Sequence, residues 1–280
     1  MKKILGLFYD SEGGINVVNS LIESSFGNIT CYYSKYSNSE PYADAIRRFN
    51  PDVVITQDAF PGIMQAIEES SVPEKIAFMV YDSSESYPSI RMMKLYRDGK
   101  GDFHMPFDTL QWPILKEWKN RRDFCYVGRI CSDKISREIL DIEDIDVYGE
   151  PNHRDPLYNY SVFKHHYKRY LDRGDVNIVL NNYKYHILHT HTDCFSLISA
   201  EAMMSGTIPV IIAQDGFDLK WTNWLPEGYG LRYDSFAKFY ADLDNLKTKD
   251  LSQKALKESH WIKAFHNQPN FKAEIGDILS

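Results

Sequence analysis

The segment from residue 193 to residue 213 constrains the fold more than any other part of the sequence. Residues 197–205 are rich in Ala, Met and Leu, which favour helix, and Gly206 stands where a helix of that length would end. The run 208–213 is apolar and largely β-branched, as in a parallel strand that is covered on both faces. The pattern predicts a helix that leads into a buried strand of a parallel sheet.

Two carboxylates flank the start of this predicted helix. Asp193 closes the polar end of the preceding strand, and Glu201 lies within the helix. Phe195 and Ser196 are predicted to form the turn between strand and helix. Backbone N–H groups at a helix start attract anions, so this turn is a candidate anion site. A role for the two acids in capping the helix is the alternative interpretation.

A second candidate site follows another predicted strand, 124–127. Gly128 and Arg129 come directly after that strand, and Lys134 follows a few residues later. A guanidinium group binds phosphate with two parallel hydrogen bonds, and an ammonium group binds it as a point charge. The spacing predicts a phosphate-binding loop, and two solvated surface cations are the alternative.

Strands and helices alternate along the chain, which indicates an α/β fold with parallel sheets. Predicted strands cover 4–9, 29–33, 52–56, 75–81, 124–127, 145–150, 176–180, 186–189 and 208–213. Predicted helices cover 15–24, 41–49, 61–69, 197–205 and 254–265. The segment 103–112 is predicted to link two domains, 1–110 and 111–280, with the last helix packing back on the first domain.

Composition excludes several classes of protein. The 280 residues are 43% hydrophobic and carry a net charge of −7, which is typical of a globular protein and argues against broad nonspecific binding to nucleic acid. No stretch approaches the roughly 20 apolar residues that span a bilayer, and the first strand is too short for a signal peptide. The four cysteines lack the spacing of zinc sites or disulfide frameworks, which predicts a cytoplasmic location. Two Asp-x-Asp pairs, 144–146 and 242–244, lie in ordinary acidic stretches, and no metal site is predicted.

Together, the two candidate sites resemble those of nucleotide-sugar glycosyltransferases with the GT-B fold, specifically the retaining family marked by a Glu-x7-Glu motif. Glu201 matches the second acid of that motif, and Asp193 stands at the first. Gly128, Arg129 and Lys134 are similar to the Gly-Arg-x-x-x-x-Lys element of the same family. The resemblance implies an α/β GT-B fold in a compact version, with two Rossmann-like domains that face each other across a cleft.

The resemblance also implies a reaction. A sugar moves from a nucleotide-diphosphate donor such as a UDP-sugar to an acceptor hydroxyl, with retained configuration and with no metal or other cofactor. Arg129 and Lys134 would stabilise the departing diphosphate, Asp193 would hold sugar hydroxyls, and Asp82 would lie beside the new bond. Residues implied to bind the donor are Gly13, Gly14, Gly128, Phe195, Ser196, Leu197 and Glu201.

The acceptor is indicated by a narrower resemblance. Residues 201–210 and 271–278 are similar to bacteriophage α-glucosyltransferases that modify hydroxymethylcytosine in DNA. A basic stripe agrees with this if the segment is a helix, because Arg91, Lys94, Arg97 and Lys100 are spaced by three. A second basic cluster contains Lys116, Lys119, Arg121 and Arg122. The best prediction is therefore a 5-hydroxymethylated or already glycosylated base in phage DNA, in the cytoplasm of the host. A saccharide or lipid-linked acceptor and an inactive nucleotide- or polymer-binding module are the alternatives.

Overall fold

The computed structural model describes residues 2–10, 14–57, 60–80, 87–95, 100–189, 195–213 and 224–279. The chain divides into two compact units. The first unit contains Met1–Asp108 and Phe265–Ser280, and the second contains Thr109–Ala264. Each unit is built on its own sheet, so the alternation of strands and helices predicted an α/β fold correctly.

The first unit contains a five-stranded sheet in which every pair of neighbours is parallel. Its strands are β1 (Ile4–Tyr9), β2 (Ile29–Ser34), β3 (Val53–Gln57), β4 (Glu74–Met79) and β5 (Arg91–Lys94), in the order β2-β1-β3-β4-β5. The described helices between these strands are α1 (Gly14–Ser25), α2 (Glu40–Phe49) and α3 (Pro61–Glu68). The strand order reverses between β1 and β3, which is where doubly wound sheets open a crevice for ligands.

The second unit contains a six-stranded parallel sheet in the order β11-β10-β9-β6-β7-β8. Its strands are β6 (Arg122–Val127), β7 (Asp146–Tyr148), β8 (Tyr167–Arg169), β9 (Tyr183–Leu188), β10 (Ile208–Ile212) and β11 (Leu231–Tyr233). Its helices are α4 (Arg137–Leu140), α5 (Ser161–His166), α6 (Arg173–Leu180), α7 (Leu197–Met204), α8 (Phe236–Thr248) and α9 (Ser252–Phe265). This is the strand order of the Rossmann fold, and it reverses between β6 and β9.

The end of the chain forms part of the first unit through α10 (Gln268–Glu274) and α11 (Gly276–Leu279). Phe271 is fully buried, and its ring lies 5.3 Å from Phe78 and 5.9 Å from Phe103, measured between centroids. The backbone N–H of His104 donates to Glu274 Oε2 at 2.7 Å. This aromatic cluster holds the last 16 residues against a sheet that lies far from them in the sequence.

Two of the predicted elements are wrong. Residues 176–180 were predicted to form a strand, but they are the end of α6, because Val176, Val179 and Leu180 are buried at helical spacing while Ile178 is exposed. Tertiary packing overrides the strand propensity of these β-branched residues.

The basic stripe is also wrong. Arg91 and Lys94 lie on the edge strand β5, which pairs with β4, so positions three apart point to opposite faces of the sheet. Arg97 is outside the described residues, and Lys100 lies beyond the end of β5.

In the parts of the chain that the structure describes, no helix is long and apolar enough to cross a membrane.

Candidate functional site

The two predicted sites converge on one edge of the second sheet. Gly128 directly follows β6, and α7 is the first described helix after β9. These two strands are parallel neighbours, with Phe124 opposite Tyr185 and Cys125 opposite His186. Because parallel strands end at the same edge, the loop predicted to bind phosphate and the start of α7 lie at the edge where the strand order reverses.

Backbone and side-chain hydrogen bonds fix the loop after β6. Gly128 donates its N–H to Tyr148 O at 3.1 Å, and Ile130 donates to Glu150 O at 3.0 Å. The Tyr126 hydroxyl donates to Arg129 O at 2.8 Å. The loop therefore presents the Arg129 side chain from a backbone that is held on both sides.

Gly149 makes this loop geometry possible. Its φ is +142°, and a Cβ built on it would lie 1.7 Å from Gly128 O. Any side chain at this position would overlap the backbone of the loop, and the dihedral itself also disfavours L-residues. Gly149 is not among the predicted site residues, because only the pairing of β6 with β7 brings it next to Gly128.

The loop carries more positive than negative charge close to Gly128. The Arg129 side chain is exposed, and no described carboxylate lies within ion-pair distance of it. The pKa of the neighbouring Asp133 is lowered mainly by a hydrogen bond from the Cys131 thiol, and the charges of Lys134 and Arg129 add to this effect. The Asp133 carboxylate is therefore close to both cations. A phosphate at this loop would compete with the Asp133 carboxylate for Arg129 and Lys134.

Helix α7 begins with a capped turn. Ser196 is its N-cap and accepts a hydrogen bond from Ser199 N at 3.3 Å. Phe195 is buried and packs against Trp224 at 4.6 Å between ring centroids, and Leu197 is half-buried. The Ser199 Oγ is fully buried and has no hydrogen-bond partner among the described residues.

Glu201 is buried within α7, with 1% of its surface exposed. The Arg173 guanidinium, at the start of α6, forms an ion pair with Glu201 Oε1. The same guanidinium lies 5.3 Å from the ring centroid of Trp112. Burial raises the pKa of Glu201, and Arg173 acts against that rise. Arg173 is not among the predicted site residues, because no motif in the sequence links it to Glu201.

Arg121 is part of the scaffold that holds α7, not of a phosphate-binding cluster. It is buried and donates to Gly206 O at 2.9 Å and to Ser205 O at 3.0 Å, which are carbonyls at the C-terminus of α7. It also donates to Asn181 Oδ1. Burial lowers the pKa of Arg121 to about 10. Its assignment to a surface cluster is thus corrected, because its side chain points inward.

Arg122 is likewise occupied. It forms an ion pair with Asp146, which also accepts from the Tyr183 hydroxyl and contacts Lys168 at 3.0 Å. Asp146 is buried, so the Asp-x-Asp pair to which it belongs serves this ion-pair network. Among the described residues, no group of His, Cys, Asp and Glu side chains has the arrangement of a metal site.

Several predicted site residues have no described side chain. Gly13, Asp82, Arg97 and Asp193 lie outside the described residues. Gly14 is the first residue of α1, which follows β1 at the reversal point of the first sheet.

Comparisons with known proteins identify the fold. No protein-family model and no curated protein matches the sequence. Sucrose-phosphate synthase from Thermosynechococcus elongatus has a TM-score of 0.68 at 11% identity, covering 99% of this chain and 98% of that one. A glycosyltransferase from Rickettsia africae has a TM-score of 0.67 at 11% identity, covering 99% and 97%. A chain of a GtfA/B complex has a TM-score of 0.56 at 15% identity, and the match covers 89% of this chain but 60% of that one.

At these identities the likeness concerns the fold alone. The chain has the GT-B fold of two Rossmann-like domains, as the sequence analysis predicted.

Proposed function

We propose that this protein is a retaining glycosyltransferase that moves a sugar from a nucleotide-diphosphate donor, such as a UDP-sugar, to an acceptor hydroxyl. One observation carries the proposal. The cationic loop after β6 and the start of α7 lie at the same edge of the second sheet, where its strand order reverses. In doubly wound sheets this is the place where nucleotides bind.

The charges at this edge suit the proposed chemistry. When the bond between sugar and diphosphate breaks, negative charge grows on the departing phosphate oxygens. A guanidinium group that is held in place stabilises that charge more in the transition state than in the ground state, and this lowers the barrier. Arg129 is exposed on an anchored backbone and is therefore available for this role. Lys134 lies near the Asp133 carboxylate, as Arg129 does, and is proposed to assist Arg129.

Glu201 is proposed to bind the ribose of the donor. The carboxylate is buried, and among the described residues Arg173 forms an ion pair with it through Oε1. A buried carboxylate can accept a strong, charge-assisted hydrogen bond from a hydroxyl. Asp193 and Asp82 keep the roles that the resemblance implies, as contacts to the sugar and to the acceptor.

The proposed acceptor is a hydroxymethylated base in DNA. The support is the resemblance of residues 201–210 and 271–278 to phage enzymes that modify DNA. In the structure, Phe271 and Ile278 are buried in the first unit. Proteins with the same core would need apolar residues at these two positions, which accounts for the similarity at this end of the chain. A saccharide acceptor is the second candidate, because one structural neighbour is a sucrose-phosphate synthase.

The decisive experiment incubates the protein with a panel of UDP-sugars and three acceptors: hydroxymethylated DNA, matched unmodified DNA and a disaccharide. Mass spectrometry of the digested nucleosides detects transfer to DNA, and release of nucleoside diphosphate detects any turnover. Transfer to hydroxymethylated DNA alone is expected. Transfer to the disaccharide would show that the acceptor is a saccharide and not DNA. UDP binding without turnover of any donor would support the inactive binding module.

The ion pair between Arg173 and Glu201 gives a prediction on pH. Ionised Glu201 accepts hydrogen bonds from the ribose, so binding of UDP weakens as pH falls through the pKa of Glu201. Arg173 holds that pKa down against burial. Arg173→Gln should therefore move the loss of binding to higher pH and weaken UDP binding about 10-fold near neutral pH. Calorimetric titration with UDP over a range of pH measures both effects.

Two controls accompany this prediction. Arg173→Gln combined with Glu201→Gln should bind UDP weakly but without the pH dependence, because the titrating group is gone. Arg173→Lys should restore part of the affinity, since it keeps the charge but loses the planar guanidinium over Trp112. An unchanged pH profile in Arg173→Gln would show that the ion pair serves packing only.

A further inference from the structure

The first unit contains a buried polar site at the reversal point of its own sheet. Gln57 is the last residue of β3 and is 3% exposed, and Asn19 lies on α1 and is 1% exposed. Asn19 Nδ2 donates to Tyr9 O, the carbonyl at the end of β1, at 3.3 Å. Asn19 Oδ1 and both polar atoms of the Gln57 amide have no hydrogen-bond partner among the described residues.

Both side chains lie in the same layer of the fold. Val54 belongs to the core on the side of α2 and α3, so alternation along β3 places Gln57 on the opposite side, which α1 covers. The register pairs Leu7 with Thr56, and Gln57 is one residue beyond this pair towards the end of the strand. Asn19 contacts the same end of β1. The unpaired amide atoms are thus concentrated where β1 and β3 end.

The fold does satisfy the neighbouring polar group on β3. Thr56 is fully buried on the other face, and its hydroxyl donates to Leu7 O at 2.7 Å. Buried amides without partners cost free energy, and native proteins retain few of them. A Gln and an Asn with unpaired amide atoms, at the edge of a sheet where ligands bind, form a candidate ligand site.

The free atoms define the chemistry of this ligand. The Gln57 amide offers N–H donors and an acceptor oxygen, and Asn19 Oδ1 offers a second acceptor. A hydroxyl group donates and accepts and therefore complements this set. A phosphate cannot donate when it is ionised and would face two acceptor oxygens, with the Asp10 carboxylate directly after β1. The site is suited to a neutral group that carries hydroxyls.

We infer that Gln57 and Asn19 select the acceptor by hydrogen bonds to its hydroxyl-bearing group, and under the proposed function this is the hydroxymethyl group of the DNA base. The inference rests on the proposed function in identifying the ligand as the acceptor. Recognition is by neutral hydrogen bonds, which does not require the basic stripe that the structure excludes. The two residues determine specificity and take no part in the chemistry.

Gln57→Leu tests this inference because Leu has a similar size and no polar atoms. A site that hydrogen-bonds a hydroxyl binds its ligand much more weakly when the amide partner is removed. The KM for hydroxymethylated DNA should therefore rise at least 10-fold. The KM for the donor should stay close to the wild-type value. The Tm should stay the same or increase by a few degrees, on the order of 1–3 °C, because an unpaired buried amide has been removed.

Thr56→Val is the matched control on the same strand. It removes a hydroxyl that is already paired, so the Tm should fall while the KM for hydroxymethylated DNA stays unchanged. Asn19→Leu should raise the KM for DNA as Gln57→Leu does. It should also lower the Tm, since the hydrogen bond to Tyr9 O is lost.

The outcomes separate the inference from the proposed function. A lower Tm in Gln57→Leu with an unchanged KM for DNA would show that Gln57 is structural, and no change in either would show that water fills the site. If the wild-type protein transfers sugar to a disaccharide and Gln57→Leu raises the KM for it, the site stands but the DNA acceptor fails. If no donor turns over, direct titration of wild-type and Gln57→Leu protein with hydroxymethylated oligonucleotide decides: equal affinities would overturn the inference.

Discussion

Arg129→Ala is expected to lower kcat and kcat/KM by about 100-fold or more, the scale seen when one group that stabilises transition-state charge is removed. The reason is that Arg129 is exposed on a loop whose backbone is fixed at Gly128, Ile130 and its own carbonyl. The substitution removes the positive charge that would stabilise the departing diphosphate, and it leaves the backbone of the loop undisturbed. Release of nucleoside diphosphate under saturating donor measures the effect.

Stability serves as the control for this prediction. The Tm of Arg129→Ala should equal that of the wild type, because no described carboxylate pairs with this side chain. Arg48→Ala, which removes an exposed arginine from α2 in the first unit, should leave kcat unchanged. Near-normal turnover in Arg129→Ala would mean that the cation is an ordinary solvated residue and that the leaving group is stabilised elsewhere.

Arg121→Met should lower the free energy of unfolding by about 3 kcal/mol or more. Met is of similar length but cannot donate, so Ser205 O and Gly206 O lose a buried partner, and each unsatisfied group costs about 1–3 kcal/mol. Urea denaturation followed by circular dichroism measures the change. Donor binding should weaken as well, since these contacts hold the end of the helix that carries Glu201.

Lys119→Met is the matched control, because Lys119 belongs to the same predicted basic cluster but its side chain is 78% exposed. Its ion pair with Glu117 lies on the surface, so the change in stability should be below about 0.5 kcal/mol. Equal changes in the free energy of unfolding would contradict the assignment of Arg121 as a buried cap of α7 and of Lys119 as a solvated cation.

Local patterns in the sequence were sufficient for the elements around the candidate site. Gly206 was predicted to end the helix, and it follows α7 with a φ of +73°, while Thr207 N donates to Ala202 O at 2.8 Å. This is the hydrogen bond of a Schellman motif, which depends on a few adjacent residues. The β-branched run after it forms β10, buried at every position, as a covered parallel strand requires.

Patterns that were ambiguous locally misled the prediction. The basic residues spaced by three fit a helix, but pairing with β4 makes Arg91–Lys94 a strand. In residues 176–180, the burial of one face against the sheet decided for helix. Basic residues 121 and 122 look alike in the sequence, yet one caps α7 and the other pairs with Asp146.

The sequence by itself thus determined the α/β class, the order of most elements and the loop and helix that carry the proposed donor site, because these follow from propensity and spacing within short segments. Only the tertiary structure decided which distant residues meet. It brings Arg173 to Glu201, Gly149 to the backbone of Gly128, and Phe271 to the core of the first unit. These contacts join segments whose separation leaves no periodic signal, and they form because sheet pairing and the burial of apolar surface hold them in place.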